Sequence, residues 1–264
     1  MLKHVMVLIS VIACASSVGA QQISSVARRE IAPTGRLRMA INFGNALLAT
    51  KDAAGVPAGI TVDLAREISR RVGLPMDIVS YESAGHIADA AKTGVWDVAF
   101  LGADPARGNE IIFSTPYLEI ESTYLVPAGS ALRTVADVDR DGVRIAVSDK
   151  SAYDLFLSRT LKRARLIRAP GVNPSVDLFF QQKLEALAGL KPLLVEVTQK
   201  NPGTRVLDGR FTVVEQAIGT PQGREASAKY LREFVADIKS SGLLAKIIEK
   251  NGIRGVSIAP LRRD

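Results

Sequence analysis

Thiols, imidazoles and long apolar runs are what this chain has least of. Its 264 residues include one cysteine, Cys14, and two histidines, His4 and His86. Cys14 and His4 fall within the first twenty residues, so a chain that loses its leader keeps His86 alone and no thiol. Ser-His-Asp and Cys-His catalysis need partners within hydrogen-bond reach, and zinc sites draw on several His or Cys ligands. Neither a metal site nor a nucleophilic hydrolase is expected, and no cofactor. Beyond the short run at residues 5–13, no apolar stretch reaches the ~18–20 residues that a bilayer span needs. Aromatic residues make up only 5%, and no arginine-rich run is interleaved with them. The 34 Lys and Arg outnumber the 27 Asp and Glu, giving a formal charge of +7, but they are spread along the whole chain. That describes a diffusely basic surface and speaks against a nucleic-acid partner.

What is present begins with a leader. Lys3 gives a positive start, residues 5–13 are apolar, and Val18-Gly19-Ala20 puts small residues where signal peptidase cuts. Residues 1–20 therefore read as a secretory signal, cleaved after Ala20. Val11-Ile12-Ala13-Cys14 also fits a loose lipoprotein box, which would leave the protein tethered through Cys14. Past the leader, 47% apolar and 23% charged residues are ordinary for a globular chain.

Strand and helix patterns alternate along the rest. Leu37, Met39 and Ile41 alternate with Arg38 and Ala40 as in a strand. Residues 61–72 place Leu64, Ala65, Ile68 and Val72 on one helical face, closed by Gly73 and Pro75. A strand over 77–81, a short helix over 86–92 and a buried strand over 95–101 containing Trp96 come next. The pattern repeats from a strand over 143–147, through a helix starting at Ser151, to strands near 166–167 and 185–190. Helices are expected over 174–183 and 192–200, and two amphipathic helices over 224–240 and 243–250 end the chain. Such alternation implies parallel sheets with right-handed crossovers. Two extended stretches, 123–127 and 211–218, read as hinge crossings. They divide the chain into one lobe of residues 30–125 plus 217–264 and an inserted lobe of residues 128–213. Ligands of open α/β sheets bind beyond the carboxyl ends of strands, so the cleft between lobes is the expected site.

Four blocks carry a resemblance. Gly59-Ile60-Thr61-Val62-Asp63-Leu64-Ala65, Gly94-Val95-Trp96-Asp97-Val98-Ala99, Asp104-Pro105-Ala106-Arg107 and Phe113-Ser114-Thr115-Pro116-Tyr117 are similar, in order and spacing, to signatures of the family 3 extracellular solute-binding proteins. The resemblance runs from about Arg36 to Ile253. It implies an α/β, two-lobed type II periplasmic-binding architecture, each lobe a mostly parallel sheet flanked by helices and the two joined by a two-strand hinge. It also implies a monomer in the periplasm that captures a small anionic solute for an ABC permease.

In the family, an Arg shortly before the Phe-Ser-x-Pro-Tyr block binds the ligand carboxylate, and Arg107 stands there; a planar guanidinium fork suits that job. The family's second anchor is a helix N-terminus on the other lobe, here Lys150, Ser151 and Ala152. Ser151 with Asp154 makes a candidate capping box, and the free amides of such a helix start attract anions. Asn42 and Asn45 follow the first strand, and Ser83, Ala84 and His86 sit before the second helix. Ala84 fills the slot where many relatives have a stacking aromatic. Gly102 replaces a common Ser or Thr, and Asp104 a common Thr. Trp96 reads as core, and Phe113, Pro116 and Tyr117 as wall. Relatives that bind α-amino acids place an acid after the 185–190 strand. Here Gly189, Leu190 and Lys191 occupy that register, and Lys191 would repel an ammonium. The ligand is then expected to bear a carboxylate without a conventional ammonium clamp, unless Asp104 supplies one. Two other readings share the scaffold. Periplasmic cyclohexadienyl and arogenate dehydratases resemble this fold and use a cleft carboxylic acid at the strand end where Leu190 and Lys191 stand. A receptor that feeds a membrane sensor is the other.

Overall fold

A computed structural model describes residues 23–261. The expected leader, with Cys14, lies outside them. The described chain opens with a short helix, α1 (Ser25–Ile31), and a first strand, β1 (Leu37–Asn42). A small hairpin of β2 (Thr50–Lys51) and β3 (Pro57–Ala58) leads into α2 (Ile60–Val72), followed by β4 (Met76–Tyr81) and α3 (Ala84–Asp89). β5 (Val98–Gly102) and β6 (Ile111–Phe113) precede the ten-residue β7 (Leu118–Pro127). The middle of the chain holds β8 (Arg144–Ser148), α4 (Ala152–Thr160), β9 (Arg165–Ala169), α5 (Val172–Gln181), β10 (Ala186–Leu190), α6 (Lys191–Lys200) and β11 (Thr204–Val206). A second ten-residue strand, β12 (Thr212–Pro221), returns to α7 (Glu225–Ser240), α8 (Leu243–Lys250) and β13 (Ser257–Ile258).

One curled sheet takes in every strand but β2 and β3. Its order is β4-β1-β5-β12-β7-β10-β8-β9, with β6 added on β12, and β11 and β13 on β7. β1 runs parallel to β4 and β5, and β8 parallel to β9 and β10, so each end of the sheet is a parallel half. Between them β7 and β12 pair antiparallel with each other and with the neighbouring halves. β7 leaves the first half for the second and β12 comes back, so the chain crosses twice. The expected crossing over 123–127 is part of β7, and that over 211–218 overlaps β12 from Thr212 onward.

Burial explains the composition of the strands. β5 and β10 are buried at every position, as parallel strands covered on both faces should be. β1 reads as alternating in sequence, yet Ala40 is as buried as Met39 and Ile41, because β1 is flanked by strands and covered on both faces. α2 buries Leu64, Ala65, Ile68 and Val72 as its periodicity predicts, and Gly73 caps it with φ 67°, a left-handed conformation that suits glycine. Trp96 is core as expected, but it sits in the turn before β5 rather than in the strand. Its indole donates to the Ile87 carbonyl at 3.1 Å. α5 starts two residues before Pro174, which is tolerated because first-turn N–H groups have no partner within the helix.

Candidate functional site

The carboxyl ends of four parallel strands meet between the two halves. Asn42 ends β1, Gly102 ends β5, Ser148 ends β8 and Leu190 ends β10, and all four line one cavity of about 50 Å³. Helix starts complete it: Thr61 from α2, Ser83 and Ala84 from α3, Ser151 to Tyr153 from α4, and Val172 from α5. The crossing strand β12 contributes Val214 and Gln216. Of the residues singled out in sequence, Asn42, Asn45, Ser83, Gly102, Ser151 and Ala152 are brought together here. Ala84 does line the cavity, so its slot offers no aromatic face.

α4 begins as the sequence suggested, with one change. Ser151 Oγ accepts from the Asp154 amide at 3.1 Å, but Asp154 reaches back to the Lys150 amide at 2.8 Å rather than to Ser151, so the capping box is displaced by one residue. The amides of Ala152 and Tyr153 have no acceptor among the described residues. Both residues line the cavity, and these are the positive end of the α4 dipole. Tyr153 is an aromatic lining residue that sequence reasoning missed. Burial pushes its hydroxyl up to about 12 against lowering bonds from Ser151 and Ser148, so it stays a donor at neutral pH.

The structure keeps five expected residues out of the lining. Arg107 is buried, 4% exposed, and sits just behind the cavity wall. One guanidinium nitrogen donates to the Gly102 carbonyl and the other to the Lys150 carbonyl at 2.6 Å, joining the two halves of the sheet. No carboxylate pairs with it among the described residues. Burial lowers it to about 10, against the raising influence of Asp104 and Asp89, so it remains a cation. Lys150, in a left-handed conformation with φ 51°, turns its ammonium outward to Asp89 at 2.8 Å. Asp104 is not free to clamp an ammonium: Arg159 grips its two oxygens at 2.9 and 2.8 Å. His86 lies exposed on α3. Lys191 points away from the cavity and donates to Glu121 of β7 at 3.0 Å. It lines a separate groove of about 720 Å³ with Val213, while Val214 and Gln216 line the cavity; neighbours on one strand face opposite sides. The expected repulsion of an ammonium by Lys191 therefore falls away. Tyr117 is fully buried core rather than wall.

The two halves approach closely around this cavity. A Cβ on Gly102 would lie 2.9 Å from both the Ala152 Cβ and Val214 Cγ1, so a larger side chain there would require a shift of one lobe or the other. A Cβ on Gly85 would lie 2.8 Å from the Lys150 Cβ.

Residues 37–252 match the model of the bacterial extracellular solute-binding proteins, family 3. The chain belongs to that family. This family 3 protein is 24% identical to cyclohexadienyl dehydratase of Pseudomonas aeruginosa over 258 residues, 92% of each chain. Its fold is similar to that of a solute receptor for L-cysteine from Neisseria gonorrhoeae, with a TM-score of 0.75 and 19% identity over 88% of this chain and 96% of that one. It is similar too to an ancestral amino-acid-binding protein, a precursor of cyclohexadienyl dehydratase, with a TM-score of 0.72 and 21% identity over 85% and 98% of the two chains. The two-lobed type II architecture follows, with the crossing strands β7 and β12 between the lobes. Family 3 proteins are extracellular by description, and no described helix is long and apolar enough to cross a membrane.

Proposed function

We propose that this family 3 protein is exported, captures a small carboxylate-bearing solute between its lobes, and delivers it as a monomer to an ABC permease of the inner membrane. In this reading residues 1–20 are the export signal, and residues 30–125 with 217–264 close as one body against residues 128–213. The observation that carries the reading is a buried cation, Arg107, bonded only to carbonyls, beside a cavity onto which the free amides of α4 open. Cation and helix dipole both favour an anion there. Arg107 acts from behind the wall, through its charge and by bracing the Gly102 and Lys150 carbonyls across the cleft.

Isothermal calorimetry with the solute identified by native mass spectrometry tests this. Arg107→Ala should weaken binding by about 2 kcal/mol or more, roughly thirtyfold. Arg107→Lys should recover part of that, because an ammonium keeps the charge but cannot span two carbonyls as the fork does. A folded Arg107→Ala variant with unchanged affinity would remove Arg107 from the reading.

A dehydratase reading draws on the Pseudomonas relative. Against it stands the lining, in which no Asp or Glu side chain is available to protonate a leaving hydroxyl. Turnover of prephenate or arogenate by the purified protein would favour the enzyme instead.

A further inference from the structure

The cavity at the strand ends has no charged side chain in its wall. Its recognition groups are neutral, and two of them have no partner. Asn45, 8% exposed, lines the cavity with its Oδ1 unbonded. Gln216, 5% exposed, lines it from β12, and its side-chain amide makes no hydrogen bond to any described residue. A buried amide oxygen without a donor is costly, and the cost is recovered when a bound molecule supplies an N–H or O–H. Opposite stand the unbonded amides of Ala152 and Tyr153 at the start of the nine-residue α4, which call for an anion.

Which donor Asn45 meets is decided by charge. An ammonium would enter a neutral cavity backed by the Arg107 cation, with no carboxylate to face it. The neighbouring acids are already engaged, Asp104 by Arg159 and Asp89 by Lys150. A hydroxyl satisfies the same acceptor without carrying a charge out of water. The enclosed space of about 50 Å³ suits the polar head of a small solute, and Tyr153, Val172 and Leu190 also line an adjoining space of about 280 Å³. We propose that the solute is a 2-hydroxycarboxylate, its carboxylate on the Ala152 and Tyr153 amides and its hydroxyl donating to Asn45 Oδ1, with Gln216 reading the remaining edge. The inference rests on the solute-capture reading and names the class of solute.

L-Lactate and L-alanine differ in this comparison by hydroxyl against ammonium alone, as do glycolate and glycine. Calorimetry on the purified full-length protein should find lactate or glycolate bound at least about thirtyfold more tightly than the matching amino acid. Asn45→Asp, checked for an unchanged melting curve, should reverse that order by supplying the missing carboxylate. Gln216→Glu should shift it the same way if the first variant does not fold. Equal or tighter binding of alanine or glycine by the natural protein overturns the inference, as does tighter binding of a large amino acid such as L-histidine. An unchanged order in both folded variants overturns it too. A co-purified solute of another class overturns the hydroxy-acid inference while leaving capture intact. No retained solute, together with no binding anywhere in the panel, overturns both.

Discussion

Asp97 shows how one residue of a signature block serves structure rather than ligand. Its side chain is fully buried and accepts from Arg38 Nε and Nη2 at 2.8 and 2.7 Å, and from Arg224 Nη1 at 2.8 Å. The carboxylate thus ties β1 to the start of α7. Removing it strands two guanidinium groups in a partly buried place, so Asp97→Ala should cost about 3–5 kcal/mol of stability. Asp97→Asn should cost less, since the amide oxygen still accepts. Urea unfolding followed by the emission of Trp96, the sole tryptophan, measures both, and a loss below about 1 kcal/mol for the alanine variant would contradict this account. Arg107 makes the complementary case: its guanidinium is bonded to carbonyls alone.

At the scale of elements, α2 is held by its acids. Asp63 accepts from Lys250 at 3.0 Å and from Asn251 at 3.0 Å, joining α2 to α8. Burial raises the Asp63 carboxyl, but these bonds overcome it and leave it below its ordinary 3.8. Glu67 is likewise lowered, chiefly by Arg70 and then, against burial, by Arg71, which also reaches Asp237 of α7 at 2.6 Å. A carboxyl lowered in the folded state contributes stability above its unfolded value, and loses it as pH falls through the folded one. Thermal melting should therefore be flat between pH ~7 and ~5 and fall below pH ~4. Asp63→Asn should cost under about 1 kcal/mol at pH 7, because Lys250 is largely exposed and the pair is screened. The same variant should narrow the gap to the natural protein as pH drops, and a gap that widens in acid would reverse the sign assigned here.

For the whole molecule, what matters is how near the lobes come. Lys150 with Asp89, Arg159 with Asp104, and Arg107 with the Lys150 carbonyl all cross the cleft. The surface pairs add little, Lys150 and Asp89 being half exposed. Fit adds more, because Gly102 has no Cβ where Ala152 and Val214 would meet it at 2.9 Å. Gly102→Ala should hold the lobes apart or displace α4, costing the closed state about 1–3 kcal/mol. Small-angle scattering should then show a larger radius of gyration for the variant under conditions in which the natural protein is compact, with ligand affinity reduced in step. Equal dimensions and equal affinity would show that the glycine is not needed for closure.

Much of this is legible in the sequence. Alternation of strand and helix, the apolar face of α2, the glycine and proline that end it, and the two extended crossings depend on local periodicity and backbone preference, which a sequence carries directly. Part of the cavity lining is legible too, because Asn42, Asn45, Ser83, Gly102, Ser151 and Ala152 sit at strand ends and helix starts, and parallel sheets bring those together by topology. What tertiary structure alone decided was where long charged side chains go. Lys191 stands one residue past a strand end, yet its flexible stem carries the ammonium to Glu121 in the neighbouring groove. Asp104 is close in sequence to Arg107 but is taken by Arg159, fifty-five residues further on. Gln216 and Tyr153 had no local signal, since one lies mid-strand and the other resembles core. Direction along a strand and the reach of a side chain across a cleft are non-local quantities, and only the packed lobes set them.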